Sequence, residues 1–355
     1  MEFSYNAIGW EDRTTLALCA LYESFGYNRY RMAKFESYDM YMENKNFLKS
    51  SSVITFPDST GRLMALKPDV TMSVVKNTTD EEFSKKVYYA ENVFRMEKDT
   101  HEYREVKQIG LEFIGDDGFY PEAETVLLAA KSLEVLSSDF VLCVSHINLI
   151  NDILADCSAE TKEAVIDAVS RRMPHKLAEL DLDEKNLSII KNMIDLPKDA
   201  EKALEKLKAL GIGGKSADWI GELSECYEVL SYSGFGDRMR IDFSVINDAH
   251  YYNGIAFVGY INGVPQEVLS GGRYDNLMMR FGKNQRAIGF AVYIGALTRY
   301  FEERDEYDAD VLLVYGDRPA VFVLKVVEGY ARAGKKVRAF REKPDNFTAR
   351  ETVLI

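Results

Sequence analysis

The sequence predicts an α+β chain: an antiparallel sheet flanked by helices, interrupted by a helical insertion and followed by a short α/β tail. Three observations carry this. Residues 87–96 and 106–114 read as two antiparallel strands around a polar loop at 98–105. From about 147 to 229 the composition shifts to Ala, Leu, Lys, Glu and Asp with helical periodicity. Beyond a linker at 303–309, VLLVY, a helix over about 318–333 and KVRAF make one βαβ-like piece.

Each element has a local reason. Residues 11–25 space their apolar side chains as a helix does, and Gly26 is placed to end it. VITF (53–56) and RLMAL (62–66) read as strands, with Asp58-Ser59-Thr60-Gly61 as the hairpin turn between them. Pro68 leads into a helix over 69–77. Pro121 suits the first turn of a helix over 122–136, where Glu122 and Glu124 also favour the positive end of the helix dipole. DFVLCVS (139–145) reads as a buried strand. Residues 231–246, 251–260 and 264–270 return to a strand pattern, with Asn262-Gly263 as a turn, and 286–302 gives a strand and a helix. The expected division is a first core part over 1–146, a helical insertion over 147–230, a second core part over 231–303 and the tail over 304–355.

Composition narrows the function. The formal net charge is −13 with a pI near 5.0, which argues against a polyanionic partner such as nucleic acid. No apolar run approaches the ~20 residues a membrane helix needs, and MEFSYNAIGWEDR is too polar for a secretory signal, so a cytoplasmic protein is expected. Cys19, Cys143, Cys157 and Cys226 form no CxxC pair and no cluster with the four histidines, so neither a metal nor a cofactor is expected.

Four separated segments carry the chemistry. In ALKPDVT (65–71), Asp69 offers a carboxylate and Thr71 a hydroxyl, although both also cap helices well. In FRMEKDTHEYREVKQIGLEFIG (94–115), strand alternation puts Gln108, Gly110 and Glu112 on one face. Both polar side chains can then reach one pocket, with Gly110 leaving room for a ligand. Arg95 has the planar fork that suits a carboxylate, or a structural ion pair. INDAHYYNGIAF (246–257) brings Tyr251 and Tyr252, which serve equally as pocket wall or core. LSGGRYDNL (269–277) precedes GFAVYIGAL (289–297).

In this order the segments resemble the histidyl-tRNA synthetase family of class II synthetases, over roughly residues 10–303. The resemblance implies that Asp69, Thr71, Gln108, Glu112, Tyr251 and Tyr252 form a histidine pocket, and that Arg95 is its phosphate- and carboxylate-binding arginine. It also implies an arginine at position 247 and a Glu-Arg pair at 295–296. Here stand Asn247, Gly295 and Ala296, which cannot stabilise the charge of adenylate formation. His101-Glu102 replace a Gly-Arg pair, Tyr293 replaces a glycine, and Ala33-Lys34 stand where a proline is usual.

Groups that hold an amino acid are kept, and arginines that activate it are gone. That pattern resembles the regulatory subunits of ATP phosphoribosyltransferase. The resemblance implies a chain without catalytic activity. It would pair with a short-form catalytic subunit, activate it and confer feedback inhibition by histidine. It also implies a synthetase-like homodimer within a hetero-octamer. The alternatives are a stand-alone amino-acid-binding module and an active synthetase, the latter needing Arg286 or Arg299 to replace the lost arginines.

Overall fold

The computed structural model describes residues 9–44, 53–79, 84–96, 102–115, 118–245, 251–301 and 307–355. The chain divides into two compact units, Arg13–Tyr300 and a second made of Met1–Asp12 with Phe301–Ile355.

In the larger unit the strands are β1 (Asn28–Arg29), β2 (Phe35–Ser37), β3 (Thr55–Pro57), β4 (Leu63–Leu66), β5 (Ser84–Met96), β6 (Tyr103–Gly115), β7 (Phe140–His146), β8 (Met239–Ile241), β9 (Ile255–Ile261), β10 (Leu269–Arg273) and β11 (Ala287–Tyr293). The main sheet has the order β1-β5-β6-β11-β10-β9-β7-β8. Its interior pairs are antiparallel, and the outermost pairs, β1 with β5 and β7 with β8, are parallel. β5 and β6 pair without interruption from Ser84↔Gly115 to Met96↔Tyr103. The polar stretch expected as a loop over 98–105 is therefore shorter at its far end, because cross-strand pairing draws residues 103–105 into β6.

β2, β4 and β3 form a small antiparallel sheet. Its hairpin turn forms as expected: one Asp58 carboxylate oxygen accepts from the Thr60 amide, the Thr60 hydroxyl and the Arg62 amide, while Gly61 takes φ +84°.

The helix Tyr120–Leu136 lies across the main sheet and buries Val126, Leu128, Leu133 and Leu136. Between β7 and β8 the chain is helical from Ile147–Ile153 to Ser216–Tyr232. Side chains start these helices: Ser158, Asp183 and Asp199 accept from the amides of Thr161, Asn186 and Lys202. Removing one such acceptor, as in Asp199→Ala, is expected to lower stability by about 1 kcal/mol in urea unfolding.

His146, fully buried at the end of β7, fastens this helical segment to the sheet. Its Nε2 lies 2.9 Å from Glu222 Oε2, and its ring stacks on Trp219 at 4.9 Å. One expectation fails here. Residues 231–246 are not a strand region: the helix continues to Tyr232, two short 3-10 turns follow, and only Met239–Ile241 is strand. Residue 246 lies outside the described residues.

In the smaller unit, β12 (Ala309–Val314) pairs in parallel with both β13 (Val337–Phe340) and β14 (Ala349–Leu354). The helix Ala320–Arg332 makes the expected βαβ crossover between β12 and β13. The third strand, ARETVL, was not expected. Its residues are mostly exposed, so it carries no clear apolar alternation. Among the described residues, no helix is long and apolar enough to cross a membrane.

Candidate functional site

The main sheet presents a small polar cavity on one face. Asp69, Thr71, Arg95, Gln108, Glu112, Tyr251 and Tyr252 all line it. Residues from three separate stretches of sequence thus meet at one place.

β6 supplies the floor. Gln108 and Glu112 are 3% and 1% exposed and point the same way, as the two-residue period requires. Gly110 lies between them, but its space is not left for a ligand. A Cβ there would fall 2.5 Å from the Tyr89 hydroxyl and 2.2 Å from the Phe290 carbonyl oxygen. Tyr89, opposite Gly110 on β5, occupies the gap and itself lines the cavity.

Glu112 is the electrostatic centre. Thr71 Oγ1 donates to its Oε1 at 2.7 Å and Tyr274 OH to its Oε2 at 2.6 Å. Burial pushes its carboxyl up to about 8; the two hydroxyl donors oppose that shift, and the Asp69 charge adds to it. On β11, Gly289 pairs with Glu112, and a Cβ at Gly289 would lie 1.9 Å from Glu112 Oε2. The carboxylate therefore sits where it does because position 289 has no side chain.

Asp69 serves two ends. Its Oδ1 accepts from the Met72 amide at 3.0 Å, capping the helix Thr71–Lys76, and its Oδ2 lies 3.7 Å from Arg95 Nη2. Asp69 thus caps a helix and lines the cavity at once. Arg95 is oriented by its Nε, which donates to the Pro68 carbonyl at 2.7 Å. The cavity thus carries the Asp69 carboxylate, the Glu112 carboxyl that keeps its proton to about pH 8, and one guanidinium. A cationic group on a ligand would draw the proton from Glu112, and a carboxylate would face Arg95.

Tyr251 and Tyr252 are 9% and 8% exposed, with ring centroids 4.8 Å apart in an edge-to-face arrangement. They pack as core and line the cavity at once. Tyr274, from the GGRYDNL stretch, was not anticipated as a site residue; it is buried and holds Glu112 directly. Ser270 and Tyr293 complete one wall, with Ser270 Oγ and Tyr293 OH 2.6 Å apart. Asn247 and His250 lie outside the described residues, and Ala296 falls in the helix Ile294–Phe301.

Beside the site, Arg273 of the same GGRYDNL stretch bridges Asp275, at 2.6 Å, and the buried Glu122, at 3.1 Å. Burial lifts Glu122 to about 7 despite that partner. Among the described residues, no group of acidic, histidine or cysteine side chains is arranged to hold a metal ion.

Comparison with known proteins agrees with this architecture. The family model described as histidyl-tRNA synthetase matches residues 10–297. The ATP phosphoribosyltransferase regulatory subunit of Alkaliphilus metalliredigens is 27% identical over 286 residues, covering 77% of this chain and 72% of that one. A solved structure of an ATP phosphoribosyltransferase regulatory subunit/histidyl-tRNA synthetase from Bacillus halodurans C has a TM-score of 0.78 at 20% identity, over 96% of this chain and 94% of that one. A chain of the ATP phosphoribosyl transferase (HisG:HisZ) complex from Thermotoga maritima has a TM-score of 0.64 at 17% identity, over 80% of this chain and 97% of that one. At such identities the solved structures speak for the fold alone. The family match over most of the chain decides the rest: the protein belongs to the histidyl-tRNA synthetase family and is a relative of the ATP phosphoribosyltransferase regulatory subunits.

Proposed function

We propose that this chain is a non-catalytic regulatory subunit of ATP phosphoribosyltransferase. It activates a short-form catalytic subunit and makes that subunit sensitive to histidine, which binds in the cavity over β6. The observation that carries the reading is a polar pocket kept whole while the activating arginines are absent. Asp69, Glu112, Arg95 and Gln108 converge on one cavity, whereas positions 247 and 296 hold Asn and Ala. A partner of this kind is supported by the relatives' names and by the Thermotoga maritima complex. We extend the proposal to a homodimer within a hetero-octamer in the cytoplasm, acting without a cofactor and without a nucleic-acid or membrane partner.

Inhibition then works through linkage. Histidine prefers the inhibited arrangement of the complex, and its difference in affinity between the two arrangements sets the degree of inhibition. The test mixes the purified chain with a short-form catalytic subunit and follows phosphoribosyl-ATP formation with and without histidine. Activation that histidine suppresses is the expected result. No co-elution and no activation would leave a free amino-acid-binding module, and histidine-dependent ATP–pyrophosphate exchange by the chain alone would mean a working synthetase. In the assembled complex, Gln108→Ala with Glu112→Ala is expected to weaken histidine inhibition by about 100-fold or more, since two buried polar contacts are lost. Unchanged inhibition would move the histidine site elsewhere.

A further inference from the structure

Arg273 stands directly before Tyr274, the residue whose hydroxyl donates to Glu112. The two side chains leave the chain on opposite sides, as successive residues at the end of a strand do. Tyr274 lines the cavity, whereas Arg273 reaches Glu122 on the helix Tyr120–Leu136, at 3.1 Å. Arg273 Nε donates to Asp275 Oδ2 at 2.7 Å, and its Nη2 lies 2.6 Å from the same oxygen. The bridge therefore spans Tyr274 and joins the residues on either side of it. A bare position makes room for it: a Cβ at Gly254 would fall 2.9 Å from Arg273 Cδ. Only 14% of the Arg273 side chain is exposed, so its charge sits among these acids and away from solvent.

Tyr274 sits where such a bridge matters. With φ −134° and ψ 45° it is neither strand nor helix, and it forms the corner between β10 and the helix Asp275–Arg280. Asp275 ties the corner to β11, because its other oxygen, Oδ1, accepts from the Ala287 amide. The corner sets the direction of the phenol, and a small rotation there swings the hydroxyl, at the far end of the ring, off Glu112. Without the guanidinium, Asp275 and Glu122 are left with no cation between them, and Glu222 is near enough to act on Glu122 as a further negative charge. Asp275 begins a helix of 6 residues, whereas Glu122 belongs to one of 17 packed on the sheet, so the corner is the part that yields.

We propose that Arg273 is a positioning residue of the pocket: by bridging Asp275 behind Tyr274, it holds the Tyr274 hydroxyl on Glu112 and so readies Glu112 for the cationic group of an amino acid. This rests on the reading of the cavity as an amino-acid pocket. Arg273 touches no ligand, and its effect passes through Tyr274. Donation from that hydroxyl favours the ionised form of Glu112, which is the form a cation meets.

The test is a double-mutant cycle read by calorimetric titration of the full-length chain with L-histidine, each protein held below its unfolding temperature. Tyr274→Phe removes the hydroxyl and is expected to weaken binding at least about tenfold, the loss of one hydrogen bond to a charged group. Arg273→Met, which keeps the stem and removes the guanidinium, is expected to weaken it by a similar factor. The double variant is expected to bind within about threefold of the weaker single variant, because both changes break the same contact. Asp275→Asn cuts the bridge from its other end, leaves Arg273 paired with Glu122, and is expected to give the same cycle; it serves if Arg273→Met does not fold. A merely structural role for Arg273 would lower affinity equally with and without the Tyr274 hydroxyl, and that additive result overturns the proposal. Wild-type affinity in Arg273→Met or in Tyr274→Phe also overturns it and leaves the pocket reading intact. Failure of the wild type to bind L-histidine at all overturns both readings.

Discussion

Glu112→Gln is expected to stabilise the ligand-free protein, and to do so more at pH 8 than at pH 5. The wild-type carboxyl titrates near 8 when folded and near its ordinary 4.5 when unfolded. Between those values the folded chain holds a proton that the unfolded chain has released, so wild-type stability falls as the pH rises through the window. At about 1.4 kcal/mol per pH unit, the loss by pH 8 approaches about 5 kcal/mol as an upper bound. Glutamine has no proton to lose, and its stability does not fall for this reason. Glu122, raised to about 7, slopes the same way in both proteins, so the difference between them isolates Glu112. Urea unfolding at pH 5 and pH 8 measures it. Two proteins whose stabilities move in parallel would show that Glu112 is not buried as described. A ligand that brings a cation to Glu112 should flatten the wild-type slope, which ties the stability measurement to occupancy of the pocket.

Gly289→Ala is expected to be far more harmful than a single methyl suggests. The added carbon would fall 1.9 Å from Glu112 Oε2 and 2.4 Å from the Leu111 carbonyl oxygen. The first neighbour is a carboxylate pinned by Thr71 and Tyr274, and the second is backbone in the middle of the sheet, so neither can yield cheaply. Overpacking of this kind costs about 1–3 kcal/mol, and displacing Glu112 adds the penalty of unpaired hydroxyls. Thermal unfolding should show the loss. Histidine binding should vanish even at temperatures where the variant remains folded. A variant with wild-type stability and wild-type binding would mean that Glu112 does not occupy this position.

Much of the site was legible because its reasons are local. Gln108 and Glu112 follow from strand alternation alone, and Asp69 and Thr71 from the start of a helix after Pro68. What escaped depends on register between strands. Tyr89 enters the cavity only because β5 sets it opposite Gly110, and Tyr293 faces Gln108 only through the β6–β11 pairing. No spacing within one segment reports such a match. Tyr274 lay in a recognised stretch, yet its contact with Glu112 spans 162 positions. The fold divides in the same way. The long pair β5 and β6 declares itself, whereas β1 and β2, of two and three residues, are too short to alternate. Residues 231–246 misled because an apolar helix end and two tight turns share the composition of strands.

The helical segment between β7 and β8 does not hang from the core as an independent lobe. It leaves the sheet at β7 and returns as β8, the strand that closes the edge of β7. His146, Glu222 and Trp219 tie its last long helix to the same strand. Excising the segment would bare a sheet edge and strip the cover from a buried imidazole, so the sheet and its insertion must be built as one cooperative unit. The edge pairing waits for a long intervening stretch to be organised, which makes it a late and slow event in assembly. A nascent chain released before β8 has docked would present a vacant strand edge, and that is where mispairing between copies would begin.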